Sequence, residues 1–158
     1  MIPFFDERKK MYAFQGRAFG KEEPKYFTIC LNDSKKIYGL DSVNWNKTVY
    51  VVEGPIDSLF IDNCIATANS DLRIEERKEN IVLVPDNQPR NLEIVKRIET
   101  FINEDYSVCL WPENLIDKDI NDMVLSGVKN IKRIINENTF RGLEAKVRFK
   151  NWRRINAK

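Results

Sequence analysis

Among its 158 residues the chain has no histidine. That absence excludes Ser-His-Asp and Cys-His catalysis, and with them any zinc site that needs a histidine ligand. Cysteine is scarce. Cys30, Cys64 and Cys109 are odd in number, far apart and each set in apolar sequence. They read as reduced core residues of a cytosolic protein and not as a disulfide framework. No apolar run approaches the roughly 18 residues of a membrane-spanning helix. The N-terminus, MIPFFDERKK, carries charges where a signal peptide needs an apolar stretch. A soluble, intracellular protein is expected. There is no Walker A loop, no GxGxxG, no internal repeat and no low-complexity segment. Any chemistry then falls to carboxylates, lysines, arginines and a metal.

What is present is the composition of a folded domain, 42% hydrophobic and 32% charged. The net charge of +2 conceals a sharp division: +3 over residues 1–47, −7 over 48–140 and +6 over 141–158. An acidic centre between basic ends suits a carboxylate metal site served by phosphate-binding arms. It equally suits a solvated surface with a disordered basic tail.

Residues 1–42 hold short apolar and aromatic stretches broken by Gly16, Gly20, Pro24 and Gly39. Met11–Phe14 and Tyr26–Leu31 read as strands, and Asn32-Asp33-Ser34 as a turn. A small β-rich subdomain is expected there, followed by a linker at Val43–Lys47. The pattern then changes. TVYVV (Thr48–Val52), IVLV (Ile81–Val84) and SVCLW (Ser107–Trp111) read as buried strands, with Ile65–Ala68 as a fourth. Ile56–Asn63 and Asn91–Ile102 have helical spacing. Asp71–Glu79 reads as a surface helix or loop, and Asn121–Asn136 as helix interrupted near Gly127. Strands alternating with helices, without surface-strand alternation, indicate a parallel sheet covered on both faces. The expected units are a small N-terminal subdomain (1–42), an α/β domain (43–138) and a basic tail (139–158).

Ligands of such sheets bind beyond the carboxyl ends of the strands. Acids stand at those ends. Glu53 follows the first strand directly, Gly54 permits close backbone approach, and Asp57 lies one helical turn on. Asp86 follows IVLVP. Asp117, Asp119 and Asp122 follow SVCLW. Carboxylates converging on one edge repel unless a cation neutralises them. Hard oxygen ligands without His or Cys suit Mg²⁺ or Mn²⁺ and metal-assisted phosphoryl or nucleotidyl transfer. Asp86 and Asp119 also suit the bland role of helix N-cap. Glu53 does not, because Glu is a poor N-cap.

Strand–Glu-Gly-x-x-Asp followed by a second apolar strand and an acidic cluster resembles the TOPRIM domain of topoisomerases, bacterial-type primases and some nucleases. Glu53 matches the family's Glu, Asp57 the Asp of EGxxD, and Asp86 the first acid of DxD. Gln88 stands where the second acid is usual. Asp119 in KDIND resembles a further acid of primases, with Asn121 in place of its partner and Asp122 beside it. Upstream, Pro3, Phe14–Arg17, Lys25–Tyr26 and Lys36–Leu40 resemble the segment preceding TOPRIM in primases, which topoisomerases and TOPRIM nucleases lack. The wording EGPIDSLF, DNQPRN and KDINDMV looks closest to primases of T-even-type tailed phages.

The resemblance implies an α/β TOPRIM fold after a small β-rich subdomain, and a DNA primase core that makes RNA primers on single-stranded DNA. It implies Glu53, Asp57 and Asp86 as catalytic residues. Glu53, Asp86, Asp119 and Asp122 would hold Mg²⁺ or Mn²⁺. Arg17, Lys25, Lys36 and Arg90 would contact the template or the ribonucleoside triphosphate. It implies host-cytoplasmic work beside a replicative helicase, no membrane partner and no zinc in this chain, which is then either a polymerase-core fragment or served by a zinc-binding module on another chain. A TOPRIM metal-dependent nuclease, with water in place of the 3′-hydroxyl, and a non-catalytic nucleic-acid-binding TOPRIM module are the alternatives. In the basic end, Trp152 and Arg153 are placed either to contact a single strand, ring on base, or to pack on the domain.

Overall fold

The computed structural model describes residues 1–18, 20–21, 23–24, 26–32, 36–68 and 71–155. Of the expected features, Lys25 and most of the Asn32–Ser34 turn lie outside the described residues.

Two sheets organise the chain. Ile2–Phe5 (β1), Met11–Arg17 (β2) and Tyr26–Cys30 (β3) form an antiparallel sheet in that order. Gly16 sits opposite Phe27, whose ring lies where a Cβ would be, 2.2 Å from it, so that position takes no side chain. The second sheet has five strands. Val49–Val52 (β4), Cys64–Ala66 (β5), Ile81–Leu83 (β6) and Ser107–Cys109 (β7) run parallel. Thr139–Phe140 (β8) pairs antiparallel with β7. Their spatial order is β5-β4-β6-β7-β8.

Alternation along the strands builds two cores, one on each face of this sheet. Val49, Val51, Ile81, Leu83 and Val108 face helices α2 (Leu92–Asn103) and α5 (Gly142–Trp152). Tyr50, Val52, Val82 and Cys109 face α3 (Ile120–Leu125) and α4 (Ile131–Glu137). Every residue of β4 is buried, and its sequence, VYVV, carries no charged position. The α/β class, with a mostly parallel sheet behind a small β-rich unit, is thus as expected.

Three local features differ from expectation or sharpen it. Helix α1 spans only Pro55–Ser58, because the chain then tightens into i→i−3 bonds at Leu59, Phe60 and Ile61. The segment 71–80, expected as a surface helix or loop, holds 3₁₀ turns over Glu75–Asn80, broken by a kink at Arg77. The basic end is not a tail: it supplies β8 and α5. Ala145 and Phe149, spaced i and i+4, are buried against α2, and Trp152 stacks on Phe149 at 6.3 Å. Two buried positions in a charged stretch suffice once a helix aligns them.

The small sheet is tied to the edge of the large one. The backbone of Tyr38 exchanges both hydrogen bonds with Ala66 of β5, at 2.7 and 3.1 Å. The Tyr12 hydroxyl accepts from the Ile37 N–H at 3.1 Å and donates to the Ile37 carbonyl. Among the described residues, no helix is long and apolar enough to cross a membrane.

Candidate active site

The chain leaves β4 in one direction to reach β5, then crosses back to β6 on the other side. The carboxyl ends of β4 and β6 therefore flank the topological switch point, where such sheets open a crevice. Glu53 follows β4 and Asp86 lies three residues beyond β6. A small cleft there is lined by Glu53, Asp57, Asp86 and Asp119 above Val52, Val84 and Trp111.

Local structure fixes each acid. The Asp57 Oδ1 accepts the backbone N–H of Asn121 at 2.9 Å, joining α1 to the start of α3. Its other oxygen lies 2.5 Å from where a Cβ on residue 54 would stand, so Gly54 is needed for space. Asp119 caps α3, accepting the Asp122 N–H at 2.8 Å. The bland and functional readings of Asp119 thus coexist. Asp86 is held from two sides, by Gln88 Nε2 at 3.2 Å and Lys118 Nζ at 3.3 Å. Asn87 binds its loop to the neighbouring one: the backbone N–H donates to Lys118 O at 2.7 Å, and the side-chain amide to Leu115 O and Asp117 O at 2.8 and 3.1 Å. The Trp111 indole N–H closes the floor on Pro85 O at 2.8 Å.

The electrostatics are those of crowded, half-buried acids. Burial and the Asp86 charge push Glu53 up to about 7, although Arg97 opposes at 3.5 Å. Burial raises Asp57 to about 6, against the pull of the Asn121 N–H. Burial also raises Asp86, with Lys118 opposing. These acids are short of positive charge.

A divalent cation fits that deficit. The donors are carboxylate oxygens, as Mg²⁺ and Mn²⁺ prefer. Among the described residues no three acids converge as a closed cage. Mg²⁺ tolerates this, since it binds through one or two carboxylates and completes its shell with water and substrate phosphate.

Of the sequence-expected residues, the fold gathers Glu53, Asp57, Asp86 and Asp119. It does not gather Asp122, whose exposed side chain is outside the cleft. Arg17 lies over the Tyr26 ring at 5.4 Å and Lys36 is exposed; neither lines the cleft. Arg90 and Trp152 line a separate groove, and Arg153 sits over Phe149 at 5.9 Å. Sequence reading missed Arg97, Lys118 and Asn87. Lys118 had a signal, its place in KDIND; Arg97 had none beyond its position on α2.

The two sheets, with acids at the switch point, share their fold with solved primase catalytic cores. No protein-family model matches the chain. It is 37% identical over 163 aligned residues to the DNA primase of Enterobacteria phage T4, covering 98% of this chain and 47% of that protein. The chain thus spans about half the length of the curated relative it matches. The fold superposes on the zinc-binding and RNA polymerase domains of the Aquifex aeolicus primase, with a TM-score of 0.67 and 19% identity. That match covers 96% of this chain and 44% of the other. A primase catalytic domain bound to single-stranded DNA matches at TM-score 0.65 and 17% identity, covering 88% of this chain and 51% of that one. The resemblance to phage-type primases carried by the motifs holds over nearly the whole chain.

Proposed function

We propose that this chain is the nucleotidyl-transfer core of a DNA primase, joining ribonucleoside triphosphates into short RNA primers on single-stranded DNA. The observation that carries the reading is the placement of Glu53 and Asp86 side by side at the switch point, within a primase-like sequence.

Glu53 is the general base. A carboxyl held near 7 accepts the proton of an attacking 3′-hydroxyl at neutral pH better than an ordinary glutamate does. Asp86 and Asp119, with Glu53, are the residues that would hold Mg²⁺ or Mn²⁺. When bound, the cation would stabilise charge on the triphosphate. Asp57 positions α3 through Asn121. Arg97 and Lys118 hold Glu53 and Asp86 in place, and Lys118, with its exposed amine, is set to meet substrate phosphate. Arg17, at the end of β2, and Lys36, beyond the small sheet, would face the template. A phage replication protein of this kind works in the host cytoplasm with a helicase and a zinc-binding module.

The test is incubation with single-stranded DNA, labelled ribonucleoside triphosphates and Mg²⁺ or Mn²⁺, with Glu53→Gln beside the wild type. Short RNA from the wild type alone supports the reading. Metal-dependent DNA cleavage without triphosphates would replace it with a nuclease.

A further inference from the structure

Beside the acid cleft lies a second, larger opening of about 850 Å³. It runs between the loop after β6, the end of β7, β8 and helix α5. Trp111 borders both openings, so the groove begins where the cleft ends. Its charge is opposite in sign. Arg90, Arg148 and Arg154 line it against one acid, Glu113. The remaining polar lining consists of side-chain amides, and the apolar lining includes the rings of Trp152 and Phe140.

We propose that this groove binds a single-stranded polynucleotide, with phosphates on the arginines and a base against the Trp152 ring. The inference rests on the primase reading and extends its site along the strand. Three features favour this occupant. Guanidinium groups grip phosphate oxygens in pairs. The half-buried Trp152 ring beside them offers a stacking surface indifferent to base identity. The arginines are also available. Arg154 pairs with a Glu113 side chain that is 91% exposed, and Arg148 reaches Glu144 only at 3.6 Å. Surface pairs of this kind are weak enough for a phosphate to displace. Trp152 lines the groove while one side of its ring stacks on Phe149 at 6.3 Å, which fixes the ring before any strand arrives. Template DNA and product RNA share the recognised chemistry.

Binding of labelled single strands of about a dozen nucleotides, one of DNA and one of RNA, tests this on the full chain over a salt series. Arg90→Ala with Arg148→Ala should weaken binding about tenfold and flatten the log–log salt slope by roughly 1.4, two phosphates' worth for a single strand. Trp152→Leu should weaken binding with the slope unchanged. Stronger binding of DNA assigns the groove to template, and of RNA to product. An unchanged affinity and slope in the double-arginine variant would overturn the proposal. Glu53→Gln should bind strands as the wild type does. Absence of primer synthesis by the wild type, with groove binding retained, would refute the primase reading alone.

Discussion

Asn87 donates its backbone N–H to the carbonyl of Lys118 at 2.7 Å, and its side-chain amide reaches two further carbonyls of the same loop. One residue between the Asp86 and Gln88 positions thus pins the strand end that carries Asp86 to the loop that carries Asp119. The spacing of the acids depends on it.

Asn87→Ala removes two side-chain donors and leaves two carbonyls to find water. The expected cost is about 1–3 kcal/mol in chemical denaturation. Mn²⁺ affinity should fall with it, since the acids lose their common frame. An Asn87→Ala protein with unchanged stability and metal affinity would show that the loops hold their spacing without it.

Glu53 sets a pH dependence. Its ordinary value of 4.5 rises to about 7 in the fold, so the folded state holds the proton more tightly. The corresponding stability is fully present below pH 4.5 and is lost as pH rises through 7. Its ceiling is about 3 kcal/mol. Asp57, raised to about 6, acts in the same direction. In metal-free buffer, wild type minus Glu53→Gln stability, from urea midpoints across this range, should decline with pH. Saturating Mg²⁺ should reverse the decline in the wild type alone.

Lys118→Met deprives Asp86 of its cation at 3.3 Å. The Asp86 carboxyl should then rise further, moving the acidic limb of any pH–rate profile upward. A KM for ribonucleoside triphosphate higher by about tenfold is expected if the amine also meets phosphate, near the energy of one charge-assisted hydrogen bond. A shifted limb with unchanged KM would confine Lys118 to holding Asp86.

Gly54→Ala places a Cβ 2.5 Å from an Asp57 carboxylate oxygen. The carboxylate must move, breaking its bond to the Asn121 N–H. Destabilisation of about 1–3 kcal/mol is expected, with α3 loosened. Asp57→Asn in the Gly54→Ala background should then cost little more, because the two changes strike one contact.

The sequence made the large sheet legible because its strands are buried on both faces, leaving runs such as VYVV with no charged position. Asn91 announced α2, whose first N–H groups it caps at 3.0 and 3.4 Å. Glu53 was legible because a poor capping residue stood at a strand end. The C-terminal helix was not, since Ala145 and Phe149 are two apolar positions among seven basic residues, and only packing on α2 selects them. Arg97 and Lys118 were hidden for a related reason. Nothing in a linear chain separates a cation that will face an acid from one that will face water.

The Tyr38–Ala66 bridge has a further consequence. A parallel sheet ends in two edges, each a row of unpaired backbone groups that can recruit another chain. Here one edge is bridged by a single residue, Tyr38, and the other is a strand of two residues, Thr139–Phe140. Neither offers a length of backbone on which a second molecule could extend the sheet. The segment that joins the two sheets thereby also shields one edge of the large sheet from β-pairing with a second molecule.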